Sequence, residues 1–112
     1  MNLYDRIHRA ARAYFERRGW EIIAPGLVYD TDNDEMVIYQ LVFDDKKFVN
    51  GTYTKKEFDE RVLGFAPYII EFDKSCPIRY DVLSFLIKDQ ELTKCLLRHE
   101  LGARKLDEDN ED

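Results

Sequence analysis

The chain has 112 residues, 45% of them hydrophobic and 13% aromatic, with a formal net charge of −6 at pH 7. That length fills one hydrophobic core and is too short for two ordinary domains, and the apolar content excludes a chain disordered throughout. The acidic balance weighs against a protein that grips duplex DNA over a broad surface, since that affinity comes from counterions displaced by Lys and Arg.

Two cysteines, Cys76 and Cys95, are far apart and form no CxxC pair. Neither a disulfide partner nor a zinc site is expected, and a reducing, cytoplasmic location is. Asp5, Arg6 and Arg9 stand where a signal peptide needs an apolar stretch, and no segment approaches roughly 18 consecutive apolar residues, so no membrane association is expected.

Residues 2–18 carry helical periodicity: Leu3, Tyr4, Ile7, Ala10, Ala11, Tyr14 and Phe15 recur at spacings of three and four. Asn2 suits the N-cap and Gly19 the stop. The other side of this helix is basic, with Arg6, Arg9, Arg12, Arg17 and Arg18 against Asp5 and Glu16. Trp20–Ala24 reads as a short strand ended by Pro25–Gly26, and Leu27–Tyr29 begins a second. The polar run 30–34 is a reversal in which Asn33 suits a positive φ. Glu35–Phe43 is a near-continuous apolar strand, which places it centrally in a sheet covered on both faces.

A polar loop over 44–53 precedes Thr54-Lys-Lys-Glu57, a capping box that opens a second helix. Phe58, Val62, Leu63, Phe65 and Ala66 are expected to face inward along it, with Pro67 ending or kinking it. Ile69–Phe72 is a short apolar stretch, 73–77 a turn, Ile78–Ile87 another strand and 88–91 its turn. Residues 92–101 fit a helix through Leu92, Cys95, Leu96 and His99, and fit a strand equally well through alternation. The domain is placed at 1–104, followed by an acidic tail over 105–112, five of whose residues are Asp or Glu, expected to be disordered.

Three segments resemble the YraN family, small bacterial proteins with a restriction-endonuclease-like fold. They are A-A-R-A-Y-F-E-R-R-G-W-E-I-I at Ala10–Ile23, D-E-M-V-I-Y-Q-L at Asp34–Leu41, and Pro77–Ala103 with its I-R-Y-D-V-L and L-R-H-E-L-G-A. The resemblance implies an α/β domain with a mixed central β-sheet flanked by helices, and it makes 92–101 a strand. It also implies where chemistry would sit. Such a nuclease places an acid on one strand and an Asp/Glu-x-Lys on the next, because two carboxylates hold a divalent cation while the Lys polarises water or phosphate. In this chain the corresponding segments are Ala24-Pro25-Gly26-Leu27 and Gln40-Leu41-Val42. Pro25, Leu27 and Gln40 are not acids, and Val42 is no substitute for Lys. The resemblance therefore implies a nuclease scaffold without its metal site.

Other constellations point elsewhere. Asp44-Asp45-Lys46 and Asp45-Lys46-Lys47 each satisfy Asp-x-Lys just past the central strand, and Asp30, Asp32, Asp34 or Glu35 could supply a partner carboxylate for Mg²⁺ or Mn²⁺. Asp30-x-Asp32-x-Asp34 imitates the start of a calcium loop, but the sixth position is Glu35 instead of Gly and the twelfth is Leu41 instead of Glu. His8 and His99 have no second His at metal spacing, and Ser75 and Ser84 lack a nucleophile-elbow context.

Two functions follow as expectations. One is a catalytically inactive interaction module needing no cofactor, binding nucleic acid through Arg6, Arg9, Arg12, Arg17 and Arg18 or binding a protein partner. The other is a divergent metal-dependent nuclease using Asp44 or Asp45 with Lys46.

Overall fold

The structure is a computed structural model that describes residues 2–51, 54–72, 75–89 and 95–105, with 103–105 described by backbone alone. Its first helix, α1, spans Leu3–Arg17. The Asn2 side-chain oxygen accepts the Asp5 N–H at 2.8 Å, satisfying one of the orphan donors of the first turn. Gly19, at φ +78°, stops the helix in the left-handed region that an unbranched backbone enters freely. Ile7, Ala11 and Phe15, four residues apart, form the buried stripe.

Strands β1 (Glu21–Ala24), β2 (Leu27–Asp30) and β3 (Glu35–Asp44) form an antiparallel meander. The 30–34 reversal departs from expectation at one position: the positive φ belongs to Asp34 (54°), not to Asn33. The Asn33 backbone N–H and side-chain amide both bond the Asp30 carboxylate, at 3.1 and 2.8 Å. That ties Asn33 into the turn and passes the left-handed step to the next residue, where Asp tolerates it.

The second helix divides in two. α2 covers Lys55–Gly64 and α3 covers Ala66–Phe72. The Thr54 hydroxyl accepts the Glu57 N–H at 3.1 Å, as the capping box requires. Pro67 falls in the first turn of α3, where its missing N–H has no partner to lose, so the chain bends and resumes as a helix that absorbs Ile69–Phe72. Phe58 is buried and Val62 and Phe65 pack beside it, but Leu63 is 74% exposed, contrary to expectation. At 100° per residue it lies a full step off the Phe58–Val62–Phe65 stripe.

β4 (Ile78–Ile87) returns parallel to β3, and β5 (Cys95–Lys105) lies antiparallel on β4. The sheet order is β1-β2-β3-β4-β5, so β3 is central as its apolar run implies, and β4 is buried along its whole length. The ambiguous segment is a strand from Cys95, and it runs one residue past the boundary placed at 104; residues 92–94 and the tail 106–112 lie outside the described residues.

Strand alternation sorts the sheet into two faces. Val28, Val37, Tyr39, Leu83, Phe85 and Ile87 pack under α1 with Phe15 and Trp20. Leu27, Tyr29, Met36, Ile38, Ile78 and Tyr80 pack under α2 and α3 with Phe58. Both cysteines are half-buried and neither forms a disulfide. No helix among the described residues is long and apolar enough to cross a membrane.

Candidate functional site

The β2–β3 and β3–β4 registers fix where the nuclease-pattern positions fall. Leu27 pairs with Ile38 and Gln40 pairs with Val82. Residues 38, 40 and 42 alternate onto the α2 face with Leu27, so three of the four positions share a face. Pro25 does not join them: it lines a separate cavity on the α1 side with Tyr39. Leu27 is fully buried in hydrocarbon. Gln40 lines a cleft of about 650 Å³ together with Glu57, Glu60, Arg61, Phe65 and Tyr80. Its amide oxygen is buried and makes no hydrogen bond. A fully ligated magnesium needs oxygen ligands at about 2.0–2.1 Å in near-octahedral array, whereas two hydrocarbons and one neutral amide supply at most one weak donor. Among the described residues, no group of three or more His, Cys, Asp or Glu side chains is disposed to hold an ion.

Gly51 explains how the loop before α2 closes over this position. A Cβ there would lie 2.5 Å from the Gln40 Oε1 and 2.7 Å from both Val82 methyls. Gly51→Ala is therefore expected to lower stability by about 1–3 kcal/mol through overpacking, measured by urea denaturation. A variant as stable as the parent would show that the loop does not press on Gln40.

The alternative Asp-x-Lys site is pulled apart. Asp30 pairs with Glu35 at one end of the β2–β3 hairpin, and Asp44 closes the other end of β3. Nine strand residues at about 3.3 Å each separate Glu35 from Asp44 by about 30 Å, so the acids of 30–35 cannot share an ion with Asp44, Asp45 or Lys46. Asp44 is occupied locally. Its carboxylate accepts the N–H groups of Lys46 (2.9 Å) and Lys47 (3.1 Å), and these two backbone bonds hold its pKa below the usual value.

Of the α1 arginines, Arg9 and Arg12 line one surface hollow together with His8, and the others do not line it. Arg12 pairs with Glu16 at 2.8 Å, both side chains well exposed. Arg18 donates to the Tyr14 phenol oxygen at 3.0 Å and lies over the Trp20 ring at 4.8 Å. Arg6 is half-buried and engaged. Arg9 and Arg17 are exposed.

The most elaborate constellation lies on the α1 face, and sequence reasoning passed over it. Asp30, Arg79 and Asp81 are almost wholly buried side by side, with Glu35 at the edge. Arg79 Nη1 bonds Asp30 at 2.7 Å and Glu35 at 3.0 Å, while Nε and Nη2 grip the two Asp81 oxygens at 2.9 and 3.1 Å. Asp81 also accepts the Gly102 N–H at 2.8 Å and a bond from His99 Nε2 at 2.8 Å. With Nε2 donating, His99 Nδ1 accepts the Tyr14 hydroxyl at 2.8 Å. Burial alone would raise both aspartate pKa values. The His99, Arg79 and Gly102 bonds to Asp81, and the Asn33 and Arg79 bonds to Asp30, outweigh it and hold both carboxyls below their usual range. Burial likewise opposes the Arg79 charge, and the two aspartates overcome it, raising its pKa.

This network ties α1, β2, β3, β4 and β5 at one point. The signal for it was in the sequence: I-R-Y-D-V-L places Arg and Asp two apart in an otherwise apolar strand, so both must point to one covered face and be paired there.

Fold and site together define an α/β protein whose described residues form a five-strand mixed sheet and three helices, with a hydrogen-bonded ion cluster on one face and an open cleft on the other. Compared with protein-family models, curated proteins and solved structures, the chain matches none.

Proposed function

We propose that this chain is a restriction-endonuclease-like scaffold without metal chemistry, acting as a non-catalytic module that binds a protein partner. The observation that carries the proposal is the neutral amide of Gln40 at the cleft floor, flanked on the same sheet face by Leu27 and Val42. The connectivity supports the scaffold: three antiparallel strands, a helical crossover, and a fourth strand parallel to the third. So does the convergence of the YraN-like segments on one cluster, through Tyr14, Glu35, Arg79, Asp81 and His99.

A protein partner is favoured over nucleic acid by the surface. Leu63 and Ile70 are 74% and 75% exposed and Tyr68 is 47% exposed, all within the α2–α3 unit. Exposed apolar side chains supply contact area to a protein partner but none of the positive charge a phosphate backbone needs. The basic face of α1 is diluted by Asp5 and Glu16 and partly committed internally, although Arg9 and Arg17 give the nucleic-acid reading its best footing.

Incubation with plasmid and single-stranded DNA in Mg²⁺ or Mn²⁺ is expected to leave both intact, and metal-free anisotropy titration is expected to show no salt-sensitive duplex binding. Metal-dependent cleavage abolished by Asp44→Ala or Lys46→Ala would establish the nuclease instead. Salt-sensitive binding lost on reversing Arg9 and Arg17 would establish a nucleic-acid module.

A further inference from the structure

The cavity beneath the exposed side of α1 has a different character from the cleft over α2. It measures about 220 Å³ and is bounded by Asp5, His8, Arg9 and Arg12 of α1, with Ile22, Pro25 and Tyr39 as its wall. These α1 residues are three and four apart, so successive turns present them to one hollow. Arg9 is exposed, without a described ion-pair partner. Arg12 is held only by its pair with Glu16, in which both side chains are mostly exposed and which a stronger anion displaces readily. The Tyr39 phenol lies inside the wall, within reach of the Arg12 charge and of a backbone hydrogen bond at Gly26. The hollow therefore offers two guanidinium groups and an imidazole, against the carboxylates of Asp5 in its lining and of Glu16 on Arg12.

We propose that this cavity binds a phosphate monoester. Its volume falls below the roughly 300–1,000 Å³ of sites that enclose whole drug-sized ligands, so it suits a charged group with its immediate attachment. A dianionic phosphate matches two guanidiniums better than a monoanionic carboxylate does, because planar N–H forks meet its oxygens in pairs. Ile22 and Pro25 provide an apolar rest for the first atoms beyond the ester oxygen. The site is separate from the Gln40 cleft, being on the opposite face of the sheet, and needs no metal.

The test is an NMR titration of the full chain with inorganic phosphate, adenosine 5′-monophosphate, 5′-phosphorylated and 5′-hydroxyl oligonucleotides, and acetate. Saturable shifts of the Arg9 and Arg12 Nε–H signals and of the Ile22 methyls are expected with every phosphate monoester and not with acetate or the 5′-hydroxyl strand. Adenosine monophosphate binding as well as the 5′-phosphorylated strand identifies a free nucleotide as sufficient; a strand that binds at least tenfold better identifies a nucleic-acid end as the source. Arg9→Gln and Arg12→Gln are each expected to weaken binding about tenfold, and Asp5→Asn to tighten it. The arginines are exposed, so the remaining amide spectrum reports that the fold is unchanged. Absence of saturation with all phosphate ligands, equal binding of acetate, or affinity indifferent to Arg9→Gln would overturn the proposal.

Discussion

Arg79→Met is expected to destabilise the fold by about 3–5 kcal/mol, the usual cost of removing one partner from a buried ion pair and leaving the other charge behind. Asp30 and Asp81 are each fully buried, and among the described residues Arg79 is the cation bonded to both. Met fills much of the aliphatic volume, so the loss reports charge and hydrogen bonding more than a cavity. Urea denaturation at pH 7 measures it.

The same substitution should change how stability responds to acid. In the parent, Asp30 and Asp81 titrate below the ordinary 3.8 when folded. A depressed folded pKa contributes stability that is complete above the unfolded value and disappears as pH falls through the folded one. The urea midpoint should therefore hold level on the acid side of neutrality until about pH 4 and decline below it. Without Arg79 both carboxyls lose a bond that favours ionisation, so their folded pKa values move up toward the unfolded one and the acid decline should become shallower. An Arg79→Met protein with parental stability and an unmoved acid limb would mean that the cluster is solvated and contributes little.

Phe15→Ala is the second large effect, with an expected loss of about 3–5 kcal/mol. The Phe15 ring is fully buried at the centre of the α1 interface, stacked on Trp20 at 5.5 Å and packed on Tyr39 at 4.9 Å and His99 at 6.0 Å. Those neighbours belong to different segments, so they cannot collapse together into the vacated space. The loss should exceed that of Ala13→Gly on the half-buried side of the same helix, about 1 kcal/mol from helix propensity alone. A Phe15→Ala cost no larger than that control would show that α1 does not seal the sheet. The variant should also weaken the Tyr14–His99 bond, visible as altered imidazole proton shifts.

Much of the fold was legible because local physics decided it. Asn2, Gly19 and Thr54 bound their helices through side-chain and φ constraints that tertiary packing had no reason to override. The apolar run of β3 forces a covered strand whatever surrounds it. The misassigned positions lay where several residues shared one role. Leu63 is as apolar as Val62, and only the sheet's position decides which of the two turns inward. Asn33 and Asp34 both accept a positive φ, and the choice depended on Asn33 bonding Asp30. The ion cluster was unreadable as a cluster for a similar reason: Asp30, Arg79 and His99 meet only after β2, β4 and β5 are assembled, and a sequence shows spacing along a strand but not register across strands.

Leu27 and Gln40, where the proposed nuclease-like scaffold would need carboxylates, carry the functional proposal, and calorimetric titration of Mn²⁺ into the purified chain at neutral pH addresses them most directly. The expected trace shows dilution heat alone up to millimolar metal. One-to-one saturable binding that Asp44→Asn or Gln40→Ala removes would contradict the account, because it would place a functioning ion site in a protein argued to have none.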